Sequence, residues 1–148
     1  MIVIRDNKLK LKFDLFALSV KDIDLSVSWY ENVLGFVLVS KTEFKAINAK
    51  GAFLDGMGIR LELLQPDRSI RLEEMCAEPP EHFCPIGRKS LILIVNDLDE
   101  LSTRLEGKDI DVIWQKLVIC DDRIRNTMLR DVDGNFLIVF ERKKHKAS

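Results

Sequence analysis

The sequence predicts an α+β fold built from two tandem modules, each made of one strand, one helix and three further strands. The stretch 20–26 returns in similar form as 95–101, and each copy follows an apolar run that is typical of a buried strand. Each copy also leads into apolar residues at helical spacing, which stop at Gly35 and Gly107. Paired modules leave a cleft between them, and a cleft is where we expect a functional site.

The first module spans about residues 13–64. Its first predicted strand is 13–20. Asp22 then provides a good helix N-cap, because its side chain can accept hydrogen bonds from the first free amides of a helix. That helix ends at Gly35, where a left-handed residue is expected. Three more strands follow, predicted at 36–40, within 44–54, and at 59–64.

A connector at about 65–87 joins the modules and holds all four prolines of the chain. A short helix is predicted near 70–75. The second module spans about 88–141, and its helix begins at Asp97, with Glu100 placed as in a capping box. Its strands are predicted at 90–95, 111–114, 117–120, 125–130 and 136–141, and the turn 131–135 precedes the last one. The second module therefore has one more candidate strand than the first, and its strand count stays open.

The composition points to one globular domain over residues 1–148, with 47% hydrophobic and 32% charged residues. The net charge of −1 gives no attraction toward nucleic acid or membrane surfaces. The basic run within 142–148 is predicted to be a solvated tail. No apolar stretch reaches the roughly 18 residues of a membrane span. The N-terminal segment has no apolar run long enough for a signal peptide, so we expect a cytoplasmic protein. Three cysteines without a CxxC motif predict reduced thiols.

Several motifs in order resemble one protein family. They are the repeated stretch, Trp29-Tyr30-Glu31-Asn32-Val33-Leu34-Gly35-Phe36, the run 61–64, and the turn 131–135, in which Val132 stands where the family has proline. Together they resemble the vicinal oxygen chelate superfamily, which includes glyoxalase I, extradiol dioxygenases and bleomycin-resistance proteins. The resemblance runs from about residue 13 to 141. It implies two βαβββ modules whose mixed sheets curl into a cup, and a homodimer in which modules pair within one chain or across two.

Metal-dependent members of that superfamily hold an ion with four ligands in the cup. The resemblance places those positions at Leu15, Glu62, Ser90 and Ile138. Leucine and isoleucine have no donor atom and serine is a poor substitute, whereas catalytic metal sites usually keep three protein ligands. We therefore expect no metal and no cofactor, which disfavours glyoxalase and dioxygenase chemistry.

Side chains alternate between the two faces of a strand, so a cup-facing Leu15 sets the face of every other cup residue. Leu18, Leu61 and Leu137 then face the helices. The predicted cup is largely apolar and suits a small apolar or aromatic organic molecule. The predicted ligand-binding residues are Leu15, Ala17, Arg60, Glu62, Ser90, Ile92, Trp114, Arg125, Phe136 and Ile138.

Several roles stay open at this point. Glu62 could be a general base, a ligand contact, or the partner of Arg60 in a salt bridge. Trp114 could stack on a ligand or belong to the core, and His82 is predicted to be a solvent-exposed loop histidine. Three functions fit: a metal-free homodimeric protein that binds a small molecule for sequestration, resistance or sensing; a metal-independent isomerase or lyase with Glu62 as base; or a structural protein whose cup is filled by its own Phe136, Ile138 and Phe140.

Overall fold

The computed structural model describes residues 12–118 and 125–142 and contains two four-stranded mixed sheets, each with one α-helix. The predicted α+β fold of two βαβββ modules is confirmed. Cys120, the end of the predicted strand 117–120 and the tail 143–148 lie outside the described residues. The elements are β1 (Phe16–Ser19), α1 (Ile23–Trp29), β2 (Val37–Phe44), β3 (Ala49–Gly56), β4 (Ile59–Pro66), β5 (Ser90–Val95), α2 (Leu98–Leu105), β6 (Val112–Val118), β7 (Arg125–Arg130) and β8 (Phe136–Glu141).

The two sheets have the same topology. The strand order is β1-β4-β3-β2 in the first sheet and β5-β8-β7-β6 in the second. The first and last strands of each module are parallel neighbours, and the other pairs are antiparallel. The helix of each module follows its first strand, so the repeat seen in the sequence is a repeat of structure.

The helix ends follow the predicted capping chemistry. The Asp22 carboxylate accepts from the amides two and three residues later, both at 3.0 Å. Asp97 does the same for α2 at 2.8 and 3.2 Å. The first helix continues through a π-helical turn, Tyr30–Leu34, and ends at Gly35, which has a φ of 75°. All three predictions are confirmed.

Two predicted elements differ from the structure. The segments 111–114 and 117–118 are not separate strands, because β6 runs from Val112 to Val118 as one irregular strand with Lys116 at a φ of 51°. Among the residues that the structure describes, the second module therefore has four strands, as the first does. The predicted helix near 70–75 is a short 3-10 turn, Glu73–Cys76.

One hydrophobic core serves both modules and lies on the helix-facing sides of the two sheets. Leu18, Leu61 and Leu63 enter it from the first sheet, and Leu137 and Val139 enter it from the second. All five are nearly or fully buried, so the predicted alternation of these strands is confirmed. The opposite sheet faces, which carry the candidate site, therefore point away from the shared core.

The first helix locks the modules together through the turn 131–135. The Tyr30 hydroxyl donates to the Asp131 carboxylate at 2.8 Å, and the Ser26 hydroxyl donates to Asp133 at 3.2 Å. Burial, and then the Asp131 charge, raise the pKa of Tyr30 well above its usual value. Trp29 and Tyr30 are both buried at this junction. Within the described residues, no helix has the length and apolarity needed to cross a membrane.

Candidate functional site

The first sheet places Ala17 beside Glu62, because β1 and β4 are parallel with these residues in register. Leu15 immediately precedes β1 and is half-buried. Arg60 lies two residues before Glu62 and therefore on the same face of β4. Ala17, Arg60 and Glu62 thus share one face, with Leu15 next to it.

Arg60 does not pair with Glu62. Its guanidinium instead donates two bonds, of 2.6 and 2.8 Å, to the carboxylate of Asp55, which is its partner in register on β3. This hydrogen bonding lowers the pKa of Asp55. Glu62 is half-buried and makes no ion pair within the described residues. The alternative of an Arg60–Glu62 salt bridge was therefore wrong, and the Glu62 carboxylate is available to a ligand.

The second sheet brings together most of the predicted residues of its module. Ser90 is in register with Phe136, and Ile92 with Ile138. Trp114 joins them through Met128, which lies between Trp114 and Ile138 in the sheet. We call the surface made by Ser90, Ile92, Trp114, Phe136 and Ile138 the second-sheet face. It is open at β5, where the exposed fraction of Ile92 is 61%, whereas Phe136 at its other end is buried.

A buried amide fixes the orientation of Trp114. The indole Nε1 donates to Oδ1 of Asn126 at 2.7 Å, and Nδ2 of Asn126 donates to the carbonyl of Leu117 at 3.1 Å. Asn126 has no exposed surface. Asn126 and Met128 were both missed as site residues. They lie two residues apart on a predicted strand, and this spacing places both side chains on the same face of the sheet.

The connector covers one end of the second-sheet face. His82 has only 1% of its surface exposed, so the prediction of a solvent-exposed loop histidine was wrong. Its ring packs on Phe136, with 4.5 Å between centroids, and on Phe83, with 4.0 Å. Neither imidazole nitrogen has a hydrogen-bond partner in the described part of the chain. Burial, and then the charges of Lys89 and Arg130, lower the pKa of His82.

Arg130 ties the connector to the second sheet. Its guanidinium donates to Glu78 of the connector at 2.7 Å and to Asp111 at 3.1 Å, and it lies over the Phe136 ring at 5.0 Å from the centroid. It also donates to the carbonyl of Cys76 at 3.4 Å. The connector is therefore held by charge at Arg130 and by ring packing at Phe136.

Arg125 lies apart from the other predicted ligand residues. Its guanidinium makes two bonds to Glu141, of 2.9 and 2.7 Å, and comes within 3.6 Å of Asp99 on α2. Glu141 also accepts from the first amide of α2, that of Leu98, at 3.2 Å. Arg125 thus joins β7 and β8 to the helix side of the sheet, where it supports the fold.

The four positions that the family resemblance marks as metal ligands do not fit a metal ion here. Leu15 and Ile138 offer no donor atom, which leaves one carboxylate and one hydroxyl, Glu62 and Ser90. The described residues contain no group of three or more His, Cys, Asp or Glu side chains placed to hold a metal. This donor set is poorer than that of known catalytic metal sites.

The pocket between the two modules is too small for an organic ligand. A pocket of about 60 Å³ lies between the modules, beside Leu18, Tyr30 and Phe136. It is several times smaller than the ligand pockets of proteins, which measure about 300–1,000 Å³. A wider groove of about 530 Å³ beside α1 is open and charged, with Asp24 and Lys41 in its wall, and includes none of the predicted ligand residues. A ligand bound by the predicted residues would therefore lie against an open sheet face.

Comparison with known proteins agrees with this architecture. The family model of the Glyoxalase/Bleomycin resistance protein/Dioxygenase superfamily matches residues 12–138. A search among curated proteins found no match. Among solved structures, the chain is similar to a glyoxalase family protein from Enterococcus faecalis, with a TM-score of 0.73 and 19% identity over 88% of this chain and 97% of that one. It is also similar to a glyoxalase family protein from Bacillus cereus, with a TM-score of 0.71 and 18% identity over 92% of this chain and 97% of that one.

A third similar structure is a fosfomycin resistance protein from Listeria monocytogenes, with a TM-score of 0.68 and 12% identity over 91% of this chain and 96% of that one. At these identities the structural matches establish the fold alone.

Proposed function

Since the chain belongs to the Glyoxalase/Bleomycin resistance protein/Dioxygenase superfamily, we propose that it is a metal-free homodimer that binds a small apolar or aromatic organic molecule. Binding would serve sequestration, resistance or sensing in the cytoplasm. The observation that carries the proposal is the second-sheet face, which is apolar, open and bordered by a fixed indole. Apolar walls with a few polar groups are typical of sites for organic ligands.

A second copy of the chain is the proposed cover of this face. Ile92 and Ile94 on β5 are 61% and 66% exposed in one chain, and the first-sheet face is open around Ala17. Adjacent exposed aliphatic side chains are typical of a surface that is covered in the working protein. Two copies would bring an apolar second-sheet face against a first-sheet face that supplies the Glu62 carboxylate.

Native mass spectrometry of gently purified, untagged protein tests this proposal directly. We expect a dimer that carries a co-purified organic mass. Ile92→Lys should remove the organic mass, because it places an ammonium group on the second-sheet face. Val132→Lys is the matched control, since Val132 is 48% exposed on the turn after β7, and this variant should keep both dimer and ligand. A stoichiometric divalent ion in the native protein would overturn the metal-free proposal.

A second candidate function is a metal-independent isomerase or lyase that uses Glu62 as general base. It is favoured by the finding that Arg60 is engaged by Asp55, which leaves the Glu62 carboxylate without an ion pair in the described residues. A carboxylate near apolar walls can accept a proton from an acidic carbon. Neither Arg60 nor Arg125 is free to hold an anionic oxygen, since both are bound to carboxylates.

Turnover on a panel of keto acids and aldehydes distinguishes the two functions. If Glu62 is a base, Glu62→Gln should abolish turnover and leave ligand affinity nearly unchanged. Glu43→Gln, an exposed glutamate on β2, is the matched control and should retain turnover. Absence of turnover in the native protein over the whole panel would contradict the enzymatic function and leave the binding function standing.

A further inference from the structure

The connector segment 75–86, which we call the strap, contains a buried polar side chain, that of His82. Only 1% of the surface of His82 is exposed, yet neither of its ring nitrogens has a hydrogen-bond partner among the described residues. Buried polar groups are nearly always hydrogen-bonded, and an orphaned one calls for an explanation. In this position the imidazole serves as an aromatic wedge between Phe83 and Phe136.

The surroundings of His82 accept a neutral ring and reject a charged one. An imidazolium has two N–H donors and needs two acceptors, and the closed strap supplies none. The charged groups that face the ring from the sheet are both cations, Lys89 before β5 and Arg130 on β7. The nearby carboxylates are already engaged or turned outward, since Glu78 binds Arg130 and Glu81 is exposed.

We propose that the strap is a pH-dependent cover, which stays closed over Phe136 while His82 is neutral and opens when His82 takes up a proton. Two contacts hold the strap on either side of the wedge. Glu78 binds Arg130 at 2.7 Å, and the Lys89 ammonium group donates to the carbonyl of Pro85. Both contacts restrict the strap without supplying an acceptor to His82. Protonation of His82 therefore destabilises the middle of the strap, between these two contacts.

The direction of the pH dependence follows from linkage. In the open strap, His82 has its ordinary pKa of 6.5, and in the closed strap its pKa is lower, because of burial and then because of Lys89 and Arg130. The closed strap is therefore fully favoured above about pH 6.5. As the pH falls below that value, the opening constant should rise by up to about tenfold per pH unit, until the pKa of the closed strap is reached.

This inference deepens the proposed function, because Phe136 belongs to the second-sheet face. Opening would uncover Phe136 and enlarge the surface offered to an apolar ligand at acid pH. The test needs no ligand, so its failure leaves the binding proposal standing, and a failure of ligand binding leaves the strap proposal standing.

The experiment is an NMR titration of the full chain labelled at the histidine rings, from about pH 7.5 to about pH 5. His145→Asn removes the other histidine of the chain, so that the remaining ring signal is that of His82. We expect its midpoint to lie below 6.5 and the amide signals of the strap to move with the same midpoint. A midpoint at or above 6.5, or strap amides that do not follow it, would overturn the proposal.

His82→Phe is the matched variant, because phenylalanine keeps the ring packing and cannot titrate. Its strap amides should show no transition between about pH 7.5 and about pH 5, and hydrogen exchange in the strap, corrected for intrinsic pH effects, should stay at the protected level. A strap that still opens with the same midpoint in His82→Phe would show that another group controls it. The titration of the native ring does not depend on this variant.

Discussion

The hydrogen bond between Trp114 and Asn126 should contribute a measurable coupling energy to stability. The indole nitrogen and the amide oxygen are 2.7 Å apart, and Asn126 has no exposed surface through which water could replace the indole. Trp114→Phe leaves that buried oxygen without its donor, at a cost of about 1–3 kcal/mol beyond the loss of packing. Asn126→Leu removes the acceptor and leaves the indole N–H of the half-buried Trp114 without that hydrogen bond.

A double-mutant cycle isolates this bond from the packing changes. Each single variant loses the bond, and the double variant also loses it only once. The loss of unfolding free energy in the double variant should therefore be smaller than the sum of the two single losses, by about 1–2 kcal/mol. Urea unfolding followed by circular dichroism is suitable, because it does not depend on tryptophan emission. Trp29→Phe in the same Asn126→Leu background is the control pair, and should be additive within about 0.5 kcal/mol.

A coupling below about 0.5 kcal/mol for Trp114 and Asn126 would refute the reasoning. It would mean that the indole is not held by the amide in solution, and the second-sheet face would lose its fixed aromatic border.

Three further outcomes follow from individual contacts. Tyr30→Phe should lower the free energy of unfolding by about 1.5–3 kcal/mol in urea, because it deletes a buried bond to the charged Asp131 and opens no cavity; a loss under about 0.5 kcal/mol would contradict this. Gly134→Ala should lower the melting temperature more than Gly58→Ala, since both have a positive φ, of 86° and 74°, but only Gly134 lies against a guanidinium, 2.7 Å from the new Cβ; equal losses would show that the guanidinium moves aside. Glu141 has a lowered pKa, first because of its hydrogen bond from the β7 guanidinium, so its stabilisation is complete above its usual value of 4.5 and declines as the pH falls through the folded value. Glu141→Gln should therefore flatten the acid limb of stability against pH, and superimposable curves for the two proteins would contradict this.

The fold could be predicted from the sequence because local signals and the repeat agree. The bounds of β5 and β8 were predicted to the residue, and the Asp22 and Asp97 caps and the glycine end of the first helix were predicted from local chemistry alone. Each of these features depends on residues close in the chain. The irregular β6 was not predicted as one strand, because a positive φ at a lysine has no reliable signature in a single sequence.

The candidate site was predicted less well, because its contacts join residues far apart in the chain. Arg60 and Glu62 share a face of one strand, which made a salt bridge plausible, but the carboxylate that binds Arg60 comes from the neighbouring strand, at Asp55. Sequence spacing shows which residues share a face, and only the register of the sheet shows which partner is nearer. His82 illustrates the same limit, because its packing partner Phe136 is far along the chain. Its proline-rich segment, taken alone, predicts an exposed loop.

The position of the core explains why both candidate faces are open in one chain. Both sheets direct their aliphatic helix-facing residues into one shared core, to which Leu61 and Leu137 contribute. The alternation of a strand then forces the neighbouring residues, Glu62 in the first sheet and Ile138 in the second, onto faces that point away from that core. A single chain thus presents an acidic half-site and an apolar half-site on two outward faces. For the binding we propose, the economical arrangement is two copies that each supply one half, so that ligand binding and dimer formation should weaken together on dilution.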